Sequence, residues 1–283
     1  MTTADFKNFR IGFQMLRLIF AIFTFTLLAS PAFAAQSGTP AMDAMLERAQ
    51  KGDADSELAL GNLSHSGKDY TEARKWYLKA AKHGSGRAQY YLGKMYKDGE
   101  GVSKNYKEAV NWWRKAAGSG DVIAQTDLGN LYATGENVGR DYAEAARWWR
   151  MAAQQGDIDA QWALGTLYSL GSQVRGSRVK RDYAEAAKWW RMGAEQGDPY
   201  AQFYLGQLYM EGNGVSKDYA EALFWLMLSA KPTNTTVGKR PEHIPLGHGI
   251  DELKKKLTPD QVEAIKKRLE DWAPHPTPTE KNE

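Results

Sequence analysis

The feature that most constrains this chain is that it repeats itself. Leu-Gly pairs end at Gly61, Gly93, Gly129, Gly165 and Gly206, spaced by 32, 36, 36 and 41 residues. A second series, Gly52, Gly84, Gly120, Gly156 and Gly197, runs nine residues ahead of the first. In each unit a tyrosine precedes a tryptophan by six: Tyr70 and Trp76, Tyr106 and Trp112, Tyr142 and Trp148, Tyr183 and Trp189, Tyr219 and Trp225. From each of the first four of these tryptophans to the next Leu-Gly glycine is 17 residues. All variation in length therefore falls between the Leu-Gly segment and the tyrosine, where the first unit lacks four residues and the fourth has five extra. Fixed spacing marks segments whose packing cannot slip. Variable spacing marks a loop on an outer face, where insertions are tolerated.

Both fixed segments read as helices. In the second unit Ala88, Leu92, Met95 and Tyr96 fall on one helical face, as do Ala109, Trp112, Trp113, Ala116 and Ala117 on the second segment. Asp121, Asp157 and Asp198 each follow a glycine and are placed to cap a helix start. The Leu-Gly glycine then sits inside the first helix, where Gly costs about 1 kcal/mol against Ala. Its presence in all five units predicts a close approach of the neighbouring helix, with a large aromatic over the glycine. Ala80, Ala116 and Ala152 serve the same purpose on the second helix.

The run Ala-Gln-Tyr-Tyr-Leu-Gly-Lys-Met-Tyr, then Gly-Glu-Gly-Val-Ser-Lys-Asn-Tyr, then Glu-Ala-Val-Asn-Trp-Trp-Arg-Lys-Ala-Ala, within positions 88–117, resembles a Sel1-like repeat, a relative of the tetratricopeptide repeat. The resemblance covers residues 49–231 in five units, about 49–83, 84–119, 120–155, 156–196 and 197–231. It implies an all-α fold, a right-handed α-solenoid of five Sel1-like helix-turn-helix repeats with a C-terminal capping helix. The first unit departs from the pattern: Ser64 stands where the others have Tyr96, Tyr132, Tyr168 and Tyr209, as an end cap would. The fifth drifts to Leu226 and Leu228.

The two ends are different material. Lys7, Arg10 and Arg17 precede the apolar run Leu18 to Leu28, and Ser30, Pro31 and Ala32-Phe33-Ala34 follow it. This is the layout of a secretory signal peptide over 1–34, with cleavage expected after Ala34. The run is short against the ~20 residues of a spanning helix, so no stable membrane insertion is expected after cleavage. An uncleaved N-terminal anchor is the competing reading. Residues 35–48 are a lead-in or cap. The absence of Cys excludes disulfides, thiolate zinc sites and a lipid anchor on Cys. An exported chain without Cys fits a bacterial envelope protein, periplasmic or secreted. The net charge of +3 is too small to imply nucleic-acid binding. Residues 232–250 read as a Pro/Gly-rich connector and 251–273 as capping helices. Thr258-Pro259-Asp260-Gln261 makes a capping box, and Val262, Ile265, Leu269 and Trp272 share a face. That stripe is expected to bury against the open end of the fifth unit. A disordered tail follows over 274–283. Similar Leu-Thr-Pro helices end many bacterial Sel1-like proteins, so the resemblance extends here.

Little in the sequence could carry chemistry. There is no phosphate-binding loop or dinucleotide fingerprint, and Ser and His occur without a nucleophile context. The expectation is no catalytic residue, no metal and no cofactor. The cluster Glu242, His243, His248, Asp251 and Glu252 reads as a solvated connector rather than a metal site. The pairs Trp112-Trp113, Trp148-Trp149 and Trp189-Trp190 read as packing rather than carbohydrate stacking, the second ring in the core and the first under the neighbouring unit. The loop Arg175 to Arg181 is either a solvated loop or a contact for an anionic surface, a phospholipid head group or a partner's acidic patch. Arg114, Arg147, Arg150, Lys188 and Arg191 are expected to cover the outer face with their aliphatic stems.

By the tetratricopeptide relation, the first helix of each pair lines a concave side. The residues that fall there are Arg87, Tyr90, Lys94 and Lys97, then Ile123, Thr126 and Asn130, then Asp159, Trp162 and Thr166, then Tyr200, Phe203 and Gln207. They differ between units while core positions repeat, which is what recognition needs. Tyr90, Trp162 and Phe203 either form an aromatic anchor set or cover a ridge between helices. The reading is an exported, non-enzymatic, monomeric scaffold, adaptor or regulator that binds a protein partner in this groove. The alternative is a protein that binds or modifies a glycan or peptidoglycan fragment.

Overall fold

In a computed structural model of the chain, the described residues are 39–231 and 247–274. The leader, Glu242, His243 and the tail beyond Pro274 lie outside them. The described residues are helical with no strand, and they divide into two compact units, Met1–Ser119 and Gly120–Glu283. The first unit holds α1 (Pro40–Gln50), α2 (Ala54–Ser66), α3 (Tyr70–Lys82), α4 (Gly86–Asp98) and α5 (Tyr106–Gly118). The second holds α6 (Val122–Thr134), α7 (Tyr142–Gln154), α8 (Ile158–Leu170), α9 (Tyr183–Glu195), α10 (Pro199–Glu211), α11 (Tyr219–Ser229), α12 (Gly247–Lys254) and α13 (Pro259–Glu270). The fold is an all-α solenoid of paired helices: α2 with α3, α4 with α5, and so on to α10 with α11.

The repeat's own residues set these boundaries. Each second helix begins on the repeat's tyrosine, and Asp69, Asn105, Asp141, Asp182 and Asp218 cap it from the position before. First helices α6, α8 and α10 are capped by Asp121, Asp157 and Asp198, as expected; Asp53 and Ser85 do the same for α2 and α4. A side-chain cap is worth about 1 kcal/mol. The glycine just before these caps adopts φ of +86° to +96° in all five repeats, a region that side-chain-bearing residues avoid.

The Leu-Gly glycine lies within the first helix, and its missing side chain is filled by a ring from the second helix of the same pair. A Cβ on Gly93 would stand 2.4 Å from Trp113, on Gly129 2.3 Å from Trp149, and on Gly165 2.3 Å from Trp190. Tyr77 plays this part over Gly61 (2.5 Å), and Leu226 over Gly206 (2.8 Å). Ala80, Ala116 and Ala152 are fully buried beside these contacts. The second residue of each Trp pair is therefore the intra-repeat core ring. The first packs backward: Trp112 against the cluster of Ala73, Tyr77, Leu92 and Met95, and Trp189 against that of Ala145, Leu164 and Leu167.

Both ends are covered. Helix α1, started by Thr39 and Pro40, buries Met42 and Ala49 against Leu60 and Trp76. At the other end Leu253, Ile265 and Leu269 bury against α11, and Thr258 with Gln261 forms the reciprocal capping box. Helix α12 begins at Gly247, inside the stretch read as connector, because Ile250 and Leu253 find apolar contacts there. No described helix is long and apolar enough to cross a membrane.

Candidate functional site

The residues singled out for recognition lie on the first helices, and the structure sorts them by burial. Lys94, Lys97, Asn130 and Asp159 are exposed, and Ile123 is 39% exposed, one of two large apolar side chains so open among the described residues. Arg87, Tyr90, Trp162, Thr166, Tyr200 and Gln207 are half-buried. Thr126 and Phe203 differ from expectation: they are 9% and 6% exposed. Phe203 is edge-on to Tyr204 (5.3 Å, 72°), inside the core of the last repeats, and Trp162 packs against that same cluster. The aromatic position that looked like an anchor fills the seam between successive first helices there, because two thick helices need ring-sized side chains between them.

The position after the Leu-Gly glycine is also partly committed. Asn62 Oδ1 accepts from the Tyr77 hydroxyl (3.0 Å), and Asn130 Oδ1 accepts from Trp149 Nε1 (3.1 Å). These two amides satisfy the polar atom of the ring seated on the glycine. In the first unit the face is basic, with Arg87, Lys94 and Lys97; in the second it carries Asp127 and Asp159.

Two polar systems run behind this face. Gln161 and Gln202, both buried, donate to the Ala153 and Ala194 carbonyls of the preceding repeat's second helix, at 3.1 Å each. Gln155 donates to Gln125 (2.8 Å) and Gln196 to Gln161 (2.9 Å). In the first repeat the same two positions are Glu57 and His83, paired at 2.7 Å with the carboxylate 2% exposed. The second system joins an arginine to the tyrosine of the next first helix: Arg74 to Tyr96 (3.5 Å), Arg150 to Tyr168 (2.5 Å), and Arg191 to Tyr209. Arg150 and Arg191 thus do more than cover an outer face. Arg147 and Lys188 do lie over Trp148 and Trp189, while pairing with Glu144 and Glu185. The Ala-Gln dipeptide at 88–89, 124–125, 160–161 and 201–202 was the available signal for the glutamine system.

One further polar cluster lies in the first unit. His65 Nε2 meets Glu100 at 2.7 Å, and His65 is edge-on to Tyr70 at 5.2 Å. Tyr77 stacks on Tyr91 at 5.2 Å. Burial, then the Tyr91 and Glu100 charges, push the Tyr77 phenol up, and desolvation with Glu100 pushes Tyr70 up. Both phenols therefore stay protonated donors. Among the described residues no three His, Asp or Glu side chains gather as a metal would need.

The family model for the Sel1 repeat matches residues 54–85, 86–121, 122–157, 158–198 and 199–231. Each match opens on the first residue of a first helix. Among solved structures, the chain is similar to a protective antigen present in uropathogenic Escherichia coli strains displaying an SLR fold. The identity is 37% and the TM-score 0.57, over 67% of this chain and 40% of that one. It is also similar to a Sel1 repeat protein from Oxalobacter formigenes, at 34% identity and TM-score 0.53, over 72% of this chain and 59% of that one. The chain thus spans less than two thirds of either solved relative. A search of curated proteins finds no match.

Proposed function

The chain belongs to the Sel1 repeat family, and from that premise we propose that it is a non-catalytic scaffold or adaptor of a bacterial cell envelope, holding a protein partner on the face of its first helices. Sel1 repeat proteins generally mediate protein–protein interactions. The observation that carries the reading is variation at matched, exposed or half-buried positions of a repeating frame: Arg87, Ile123, Asp159 and Tyr200 near the start of four of the first helices, and Lys94, Thr166 and Gln207 one residue past the glycine. Packing fixes the frame and leaves these side chains free to differ. An exposed isoleucine bordered by polar residues is the kind of contact a partner would bury. The leader at 1–34 supports export.

The test is affinity capture with crosslinking from the envelope fraction, wild type beside a Lys94→Glu/Ile123→Asp variant. A defined protein captured by wild type and lost by the variant supports the reading; equal capture by both overturns the site. Fractionation with N-terminal sequencing tests export. A mature chain starting at Ala35 supports it, and an intact chain held in the cytoplasm overturns it.

A further inference from the structure

The loop between α8 and α9 is where the fourth repeat carries its five extra residues. Its neck is closed by the Asp182 amide, which donates to the Tyr168 carbonyl at 2.9 Å. Gly171, at φ +56°, lets the two strands of the neck touch: a Cβ there would lie 2.3 Å from Arg181 N. Inside the loop Ser177 N donates to Val174 O (2.8 Å), and Val179 N to Ser177 Oγ (3.1 Å). The Val179 side chain packs against the cluster of Trp149, Leu164, Leu167 and Trp189. The result is an Ω-like loop tied at its base and pinned by one apolar residue.

Arg175, Arg178, Lys180 and Arg181 are all exposed on this loop. The described residues of the second unit hold 17 Lys and Arg against 20 Asp and Glu. Most of those cations are engaged: Arg147, Lys188 and Arg268 on carboxylates, Arg150 and Arg191 on tyrosine hydroxyls. Among the cations of the second unit's described residues, only Arg175, Arg178, Lys180 and Lys267 make no ion pair, hydrogen bond or ring contact. Three of the four share one loop, in a unit whose acids outnumber its bases. Within this unit, unspent cationic capacity is thus concentrated where the chain was lengthened.

We propose that this loop is a docking site for an acidic peptide segment of a protein partner. Guanidinium groups take carboxylates in pairs of parallel hydrogen bonds, and a loop already held in shape loses little freedom on binding. A slender acidic segment would meet the loop alone. A flat anionic membrane would also meet the rest of the unit, 13 cations against 20 acids without the loop's four, and be repelled. The proposal rests on the scaffold reading of the chain but concerns a different surface from the first-helix face.

The test measures fluorescence anisotropy of labelled octaglutamate with the purified chain, at low and high salt, beside co-sedimentation with phosphatidylglycerol vesicles. Wild type is compared with Arg175→Glu/Arg178→Glu/Lys180→Glu, with the milder Arg178→Gln, and with Lys267→Glu as a control for unpaired charge elsewhere. Support is saturable, salt-sensitive peptide binding that the triple variant weakens by about tenfold or more and Lys267→Glu leaves nearly unchanged. Should the triple variant not fold, a several-fold loss in Arg178→Gln carries the same meaning. Absent peptide binding, equal binding by all variants, or vesicle binding that needs the loop while the peptide is ignored would each overturn the proposal. A Lys94→Glu/Ile123→Asp chain that still binds octaglutamate while losing its captured partner separates this loop from the first-helix site.

Discussion

The first and fourth repeats are built on one plan, and they differ at the positions whose partner lies outside the repeat. In the fourth, Gln161 donates back to the Ala153 carbonyl of the preceding second helix, and Tyr168 takes a hydrogen bond from Arg150 on that same helix. The first repeat has α1 before it, where Ala49 matches Ala153 but Leu46 stands in the place of Arg150, so the tyrosine's partner is missing. Its glutamine position becomes Glu57, which has no N–H to donate backward and pairs with His83 instead, and its tyrosine becomes Ser64, buried at 2% exposure. What lies inside the repeat is kept: a ring sits on the Leu-Gly glycine in both, Tyr77 in one and Trp190 in the other. A repeat thus carries an inner set of residues and a set that reaches back to the repeat before it, and the first repeat keeps the inner set while changing the second.

Four variants test that division. The largest effect should come from the shared inner contact. Gly165→Leu and Gly61→Leu are each expected to lose about 3 kcal/mol by chemical denaturation, because each forces a side chain into a ring already at 2.3–2.5 Å. A normal Gly61→Leu would show that the first repeat does not share the plan. Next is the pair that sets the first repeat apart. Glu57→Ala should cost about 2 kcal/mol, reduced from a fully buried pair because the His83 side chain is 40% exposed. The double change Glu57→Gln/His83→Gln, which writes the later repeats' amides into the first, should stay within about 1 kcal/mol of wild type. A double variant as damaged as Glu57→Ala would show that the charge itself is needed.

The smallest effect concerns Asp157, the cap of α8. Burial holds its carboxyl above the ordinary 3.8, so the folded state binds its proton more readily than the unfolded chain does. The group therefore adds stability below 3.8 and loses it as pH rises through its raised folded value. Asp157→Asn keeps a capping oxygen and removes the titration. Stability at neutral pH should rise by less than about 1 kcal/mol, and the variant should gain less than wild type on acidification. An unchanged acid profile would remove Asp157 as a contributor.

Most of the frame was legible in the residues. The glycine spacing, the Asp caps, the Trp over the glycine and the capping box at Thr258 all follow from local rules, and each appears where the sequence put it. The candidate surface was less so. Phe203 and Trp162 share one repeat position with Tyr90 and Thr126, yet whether a ring there is open depends on its neighbour in the next repeat, which no single-unit pattern encodes. Phe224 shows the same limit. It replaces the surface cation of Arg147 and Lys188, and it is fully buried because α13 lays Arg268 over its ring at 3.7 Å. The stretch read as a lead-in or cap over 35–48 holds helix α1, whose Met42, Met45, Leu46 and Ala49 share one face, a pattern too short to be marked as a helix by the repeat.

The neck bond at the base of the α8–α9 loop has counterparts. Asn105 N donates to Tyr96 O, Asp141 N to Tyr132 O, and Asp218 N to Tyr209 O, at 2.8–3.0 Å, whatever the length beyond them. Each connection is thereby insulated from the helices it joins, since added residues spend their conformational freedom outside a closed gate. Such a gate makes these connections natural grafting points. A foreign epitope spliced between Gly135 and Arg140 should be displayed at a set spot on a repeat whose register it does not disturb, and the fourth repeat has already accepted a graft of its own.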